Sequence, residues 1–72
     1  MSGEVPIRGQ TIRLGQLLKL AGIVDSGAEA RELLATERVL VNGEPESRRG
    51  RQLHPGDEVE AGGQALRVTA GG

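Results

Sequence analysis

The fold class is decided in residues 26–43, SGAEARELLATERVLVNG, where the hydrophobic period changes from helical to extended. Ser26 and Glu29 form a capping box, in which the serine hydroxyl satisfies a free N–H group of the first helical turn. A short helix ending near Thr36 is therefore expected. Its apolar stripe consists of Ala30, Leu33 and Leu34.

The second half of this stretch is typical of a β-hairpin. Residues 39–41, Val-Leu-Val, are a strand candidate, and Asn42-Gly43 is the strongest short-range signal for a tight hairpin turn. Two further turns are indicated at residues 55–57 and 62–63, and each precedes another strand candidate. Several short antiparallel strands are therefore expected after the helix.

An earlier helix precedes the capping box. Its apolar positions follow the i, i+3, i+4, i+7 spacing of one helix face, and Gly22 stands where a C-terminal cap is expected. These positions are Leu14, Leu17, Leu18 and Ala21. Together the patterns predict an α+β domain, with two short helices packed on a small antiparallel β-sheet.

Composition excludes several classes of protein. The chain has 72 residues, with 36% hydrophobic residues, no aromatic residue and no cysteine. The core must be aliphatic, and neither disulfides nor thiolate metal sites can form. No stretch has the length of a membrane span or the pattern of a signal peptide, so a cytoplasmic location is expected.

No catalytic motif is visible. His54 is the single histidine, and its place beside Pro55-Gly56 is typical of an exposed turn. Neither of the two glycine-rich phosphate-binding motifs, G-x-x-x-x-G-K-S/T and G-x-G-x-x-G after a strand, occurs in the sequence. No pair of carboxylates stands out as an acid/base couple. We expect no enzyme activity, no cofactor, no metal and no small-molecule substrate.

Charge is unevenly distributed along the chain. The net charge is −1, which argues against nucleic-acid binding, yet residues 5–24 and 47–56 each carry three basic residues and no acidic one. A fold that joins the two blocks would create a basic surface. The basic residues are Arg8, Arg13 and Lys19, and then Arg48, Arg49 and Arg51.

Four segments in this order resemble the S4 RNA-binding domain: Arg13-Leu14, residues 26–31, residues 39–43 and residues 55–59. Residues 44–51, EPESRRGR, are similar to the small stand-alone bacterial branch of that family. The resemblance covers roughly residues 12–68. It implies the αL motif, two helices joined to a bent β-hairpin, with RNA across the outer face.

The resemblance divides the chain into three parts and assigns it a partner. Residues 11–69 would form the S4-like domain, residues 1–10 a flexible N-terminal segment and residues 70–72 a flexible tail. The expected partner of this non-catalytic module is structured RNA, either ribosomal or transfer RNA, or a whole ribosomal particle. No membrane partner is expected, and the chain is expected to be a monomer.

The candidate RNA contacts combine this resemblance with the residue types. Arg31 has no carboxylate at its i±3 or i±4 positions and is free to meet a phosphate. The guanidinium groups of Arg48, Arg49 and Arg51 lie within four residues and repel one another unless an anion lies between them. Lys19 is equally explained as an ordinary residue on the solvent-exposed face of the first helix. Asn42 and Gly43 are expected first of all to form the turn, and contact with RNA is secondary. The candidates are Arg13, Lys19, Ser26, Gly27, Arg31, Asn42, Gly43, Arg48, Arg49 and Arg51.

Two features depart from the family pattern. Glu37 stands where a glycine usually closes the second helix, and the net charge is negative. Because aromatic residues are absent, base stacking is excluded, and recognition of RNA shape and phosphates remains.

Two alternatives belong to other functional classes. The chain ends in Gly71-Gly72 after a β-rich half, as the small β-grasp sulfur carriers do. The second helix, with its capping box, argues against that fold. A pure protein-interaction module on the ribosome is the other alternative.

Overall fold

The computed structural model describes residues 2–36 and 38–71, and in that part of the chain two helices pack on a mixed β-sheet. The α+β prediction is therefore confirmed, with a parallel pair that the sequence did not indicate. The main sheet has the strand order β1-β7-β6-β3-β4, and β2 and β5 form a separate two-stranded sheet. The strands are β1 (Ser2–Ile7), β2 (Ile12–Arg13), β3 (Leu40–Val41), β4 (Glu44–Pro45), β5 (Gln52–Leu53), β6 (Glu58–Ala61) and β7 (Gln64–Ala70).

The first helix, α1 (Leu14–Leu20), ends as its sequence predicts. Gly22 has a φ of +78°, the left-handed conformation that closes a helix at little steric cost. The amide of Ile23 donates to the carbonyl of Leu18, and the amide of Gly22 to that of Lys19. This pair of hydrogen bonds turns the chain sharply towards the second helix.

The second helix, α2 (Gly27–Ala35), begins at the predicted cap. The Ser26 hydroxyl accepts a hydrogen bond from the Glu29 amide at 3.1 Å, and the Glu29 carboxylate accepts one from the Asp25 amide at 2.8 Å. The last helical residue is Ala35 and Thr36 is the C-terminal cap, in agreement with the expected end near Thr36. The expectation for Glu37 lies outside the described residues.

The hairpin turn lies between β3 and β4, where the sequence placed it. Asn42 and Gly43 both have positive φ, at +52° and +86°. This geometry matches the twist of two antiparallel strands joined by two residues. β3 also pairs with β6 and β6 with β7, both antiparallel, so the strand succession of the second half is confirmed.

The expectation of a flexible N-terminal segment is wrong for residues 2–7. They form β1, which runs parallel to β7 and pairs Val5 with Val68. Val5 and Ile7 alternate with exposed residues and are buried, so this segment contributes to the core. Pro6 is compatible with the strand because β1 lies at the edge of the sheet.

Ala70 and Gly71, which were expected to belong to a flexible C-terminal tail, are also bonded to the sheet. Ala70 is the last residue of β7, and the Gly71 amide donates to the Ile7 carbonyl at 2.9 Å. Gly72 lies outside the described residues. The core between the sheet and the helices is aliphatic throughout, with Leu14, Leu17 and Val59 among its fully buried members.

Both described helices are shorter than 10 residues, and neither has the length or the apolar character needed to cross a bilayer.

Candidate nucleic-acid interface

The N-terminus of α1 is hydrogen-bonded to the segment formed by residues 46–51, which we call the arginine loop. The Leu14 amide donates to the Arg51 carbonyl at 2.8 Å, and the Gly15 amide to the Arg49 carbonyl at 2.9 Å. These two donors belong to the first helical turn, where no partner exists within the helix. Arg13, the residue before the helix, makes no side-chain capping bond and stays exposed. The loop carbonyls therefore cap α1 and fix the arginine loop against it.

Arg49 extends from this loop across α1 towards α2. Its side chain lies against Gly15, where a Cβ atom would overlap the Arg49 Cγ. Its Nη1 atom lies 3.5 Å from the carbonyl oxygen of Gly27, at the start of α2. The guanidinium is thus held between the N-terminal ends of the two helices.

These elements surround an open cleft of about 340 Å³, which we call the basic cleft. It brings together four residues that the sequence put forward, from both basic blocks and from the start of α2. Among residues 2–36 and 38–71, no acidic residue lines it. Its lining consists of Arg13, Gly15, Gln16, Lys19, Gly27, Arg49 and Gly50.

The other two arginines of the loop are engaged by Glu46, which the sequence analysis missed. The Glu46 carboxylate accepts hydrogen bonds from Arg48 Nε at 3.2 Å and from Arg51 Nη1 at 2.9 Å. It also accepts one from the Arg48 backbone amide at 3.0 Å. The expected repulsion is therefore relieved between Arg48 and Arg51 by a carboxylate of the chain itself.

Glu46 is buried, with 7% of its surface exposed, although it is a charged residue. The hydrogen bonds from Arg48 and Arg51 outweigh the effect of burial and lower the pKa of Glu46 to about 2. The same ion pair raises the pKa of Arg48 above its ordinary value. The signal in the sequence was the spacing of one acid two and five residues before two arginines.

The remaining α2 candidates lie outside the basic cleft lining. Arg31 is exposed, and no acidic side chain of residues 2–36 and 38–71 forms an ion pair with it. Ser26 is half-buried and uses its hydroxyl as the helix cap. Both residues belong to the helix whose first residue, Gly27, lines the cleft.

Asn42 and Gly43 are not brought to the basic cleft. The Asn42 side chain donates to Asp57 at 3.1 Å and accepts from the Glu58 amide at 2.9 Å. Both turn residues line a different depression, together with Glu58 and Glu60. These bonds tie the hairpin turn to the turn before β6, which is a structural role.

Asp57 organises that second turn. Burial alone would raise the pKa of Asp57, but hydrogen bonds from the His54 amide and the Asn42 side chain lower it on balance. His54 itself is exposed, as its turn position predicted, with Nδ1 3.8 Å from the Asp57 carboxylate.

Comparison with known proteins gives consistent results. Residues 5–69 match the family model described as an S4 domain. The chain is 48% identical over 63 residues to a Bacillus subtilis protein named "Probable ribosome maturation protein RlbA", covering 88% of this chain and 89% of that protein.

The fold is similar to a solved structure as well. The solution structure of YbcJ from E. coli, described as revealing an "ALFAL motif involved in RNA-binding", superposes with a TM-score of 0.65. The two chains are 30% identical, and the match covers 96% of this chain and 86% of YbcJ. The match to the family model over nearly the whole chain, together with these two relatives, shows that the chain belongs to the S4 domain family.

Proposed function

We propose that this chain is a non-catalytic RNA-binding module that holds the phosphate backbone of structured RNA in the basic cleft. The observation that carries the proposal is the convergence of Arg13, Lys19 and Arg49 on a cleft that no acidic residue of the described part of the chain lines. The net charge of −1 does not oppose this, because the acidic residues among residues 2–36 and 38–71 do not line the cleft. Local charge attracts phosphates more than the sum over the chain does.

The cleft has the chemistry that phosphate oxygens require. Two guanidiniums and one ammonium offer charge-assisted hydrogen bonds, which are stronger than bonds between neutral groups. Gly27 opens α2, where the helix dipole favours negative charge, and it lacks a side chain that would block a phosphate. Ser26 and Arg31 extend this surface along α2, and Arg48 and Arg51 extend it along the arginine loop.

The mode of recognition follows from the composition. With no Phe, Tyr or Trp, the chain lacks the aromatic side chains on which the bases of single-stranded RNA are most often stacked. Shape and phosphate spacing remain, and both are properties of folded RNA. We therefore expect binding with little sequence specificity.

Ribosomal RNA, free or within a ribosomal particle, is the partner we favour. Support comes from the names of the relatives, one a probable ribosome maturation protein and the other an RNA-binding protein. Transfer RNA is the alternative partner, and a parallel titration compares the two. A monomer in the cytoplasm is the simplest form of such a module.

The experiment is a filter-binding titration of the whole chain with purified ribosomal RNA and, in parallel, with transfer RNA, at several salt concentrations. With about three to five phosphate contacts, log affinity should fall linearly with log salt, with a slope of about −0.7 to −0.9 per contact. Stronger binding to transfer RNA would change the proposed partner. An affinity that does not respond to salt would rule out phosphate binding.

The sulfur-carrier alternative receives no support from the fold or from the relatives. Gly71 is bonded to β1 instead of extending from the sheet, and the chain belongs to a different family.

A further inference from the structure

Glu46 presents a physical contradiction in a surface that binds phosphates. It is a negative charge within the arginine loop, and it neutralises part of the charge of Arg48 and Arg51. Coulomb's law alone predicts that its removal would strengthen RNA binding. The contacts of the arginine loop indicate the opposite.

Both carboxylate oxygens of Glu46 are occupied by the loop. One oxygen accepts from the Arg48 amide and from Arg48 Nε, and the other from Arg48 Nη2 and Arg51 Nη1. These bonds join both ends of the segment 48–51. The Glu46 amide in turn donates to the Val39 carbonyl at 2.9 Å, which ties the carboxylate to the strand side of the fold.

The segment held in this way carries the groups that meet α1. The carbonyls of Arg49 and Arg51 accept from the Gly15 and Leu14 amides, and the Arg49 side chain crosses Gly15 into the basic cleft. Without the carboxylate, Arg48 and Arg51 would repel each other within the loop. The loop would then lose the shape that places Arg49.

Glu46 also fixes one of the exposed guanidiniums. Arg48 is 76% exposed while it is bonded to Glu46, so its remaining N–H groups face solvent in one orientation. An arginine that is already ordered loses less conformational entropy when it binds a phosphate.

We propose that Glu46 is a positioning residue for RNA binding, whose negative charge raises the affinity by holding the arginine loop and Arg49 in place. This inference rests on the proposed function. It assigns a role in RNA binding to an acidic residue, although a count of charges alone would leave a negative residue out of an RNA-binding site.

The test compares two single charge removals, Glu46→Gln and Glu44→Gln, by filter binding with purified ribosomal RNA. Glu44 is exposed and lies on the same hairpin, and it forms no ion pair with the described residues. Its removal should leave affinity unchanged or raise it by about twofold. Removal of the Glu46 charge should lower affinity by about tenfold, with a shallower salt slope.

A double-mutant cycle with Arg49→Ala separates positioning from general destabilisation. If Glu46 acts through Arg49, Glu46→Gln should lower RNA affinity by about tenfold in the native background. In the Arg49→Ala background the same change should lower RNA affinity by less than about threefold. Glu46→Asp keeps the charge but shortens the side chain, and it should lower affinity as well. Affinity at or above the native level in both Glu46 variants would overturn the inference, as would equal costs in both backgrounds.

Hydrogen exchange of the free protein gives a readout that does not need RNA. The Leu14 and Gly15 amides should exchange about tenfold faster in Glu46→Gln, because their acceptors lie on the loop, and remain as in the native protein in Glu44→Gln. Unchanged exchange in Glu46→Gln would overturn the positioning role even if RNA binds. Failure of the native chain to bind RNA would instead refute the proposed function.

Discussion

The side chain of Arg49 lies directly against the Cα atom of Gly15, so that position 15 has no room for a methyl group. This contact connects the arginine loop to the first turn of α1. It also explains why glycine occupies a helical position where φ is negative and alanine would ordinarily be preferred.

The first prediction is that Gly15→Ala destabilises the protein. Replacing glycine by alanine within a helix normally adds about 1 kcal/mol to the free energy of unfolding. Here the new methyl group would displace Arg49 close to the backbone, where the side chain cannot easily move away, and overpacking of this kind costs about 1–3 kcal/mol. Urea denaturation measures the difference, and filter binding with ribosomal RNA should show a weaker complex because Arg49 has moved.

Gly50→Ala is the matched stability control. A Cβ atom at position 50 would meet no neighbouring atom, and its φ is not positive. Gly50→Ala should therefore change the free energy of unfolding by no more than about 0.5 kcal/mol. Stabilisation of the chain by Gly15→Ala would show that Arg49 does not occupy this place in solution.

The second prediction concerns the cations of the basic cleft. The single changes Arg13→Ala, Lys19→Ala and Arg49→Ala should each lower RNA affinity by about tenfold. The triple variant should have a salt slope smaller in magnitude by about 2–3. Titrations at several salt concentrations, with circular dichroism melts of the same samples, give both quantities.

Arg67→Ala serves as the control for charge. Arg67 lies 3.6 Å from Glu58 and lines a separate depression that also contains Glu4. Its removal should alter the affinity and the slope little. Losses at Arg67 equal to those at the cleft residues would mean that binding follows total charge and has no defined site.

The third prediction is a loss of stability in acid caused by Glu46. Its pKa is about 2 in the folded protein, against an ordinary value of 4.5. A depressed folded pKa means that the unfolded chain binds the proton more readily. The stabilisation is therefore complete above pH 4.5 and is lost as the pH falls towards 2.

Asp57, whose pKa is also lowered, contributes in the same direction. Chemical denaturation from pH 7 to pH 2 should show the decline, and Glu46→Gln should make it smaller while reducing stability at pH 7. An identical decline in the variant would show that the carboxylate is not held by its arginines.

The fourth prediction is that Asn42 stabilises the fold and does not contact RNA. Asn42→Ala removes two hydrogen bonds to the turn before β6 and places alanine at a positive φ, at a combined cost of about 2 kcal/mol. The melting temperature should fall while RNA affinity and salt slope of the folded protein stay unchanged. Weaker binding with an unchanged melting temperature would place this turn on the RNA surface.

Local signals in the sequence were enough for most of the secondary structure. The Ser26 cap, the Gly22 helix end and the Asn42-Gly43 turn each depend on residues within a few positions of one another. Such features need no knowledge of distant contacts, because backbone conformation and nearby hydrogen bonds decide them. β1 was missed because its segment holds a glycine and a proline, and its partner β7 is more than 60 residues away.

The sequence by itself determined the order of helices and turns, the aliphatic core and the presence of two basic blocks, since these follow from composition and local periodicity. Only the tertiary structure decided which of the basic residues share a surface. Arg13 and Lys19 meet Arg49 because the carbonyls of the arginine loop cap α1, a contact between residues more than 30 positions apart. Burial likewise distinguishes Glu46 from the other acidic residues that the structure describes. A carboxylate removed from water is stable only beside cationic partners, and the fold places Arg48 and Arg51 against it.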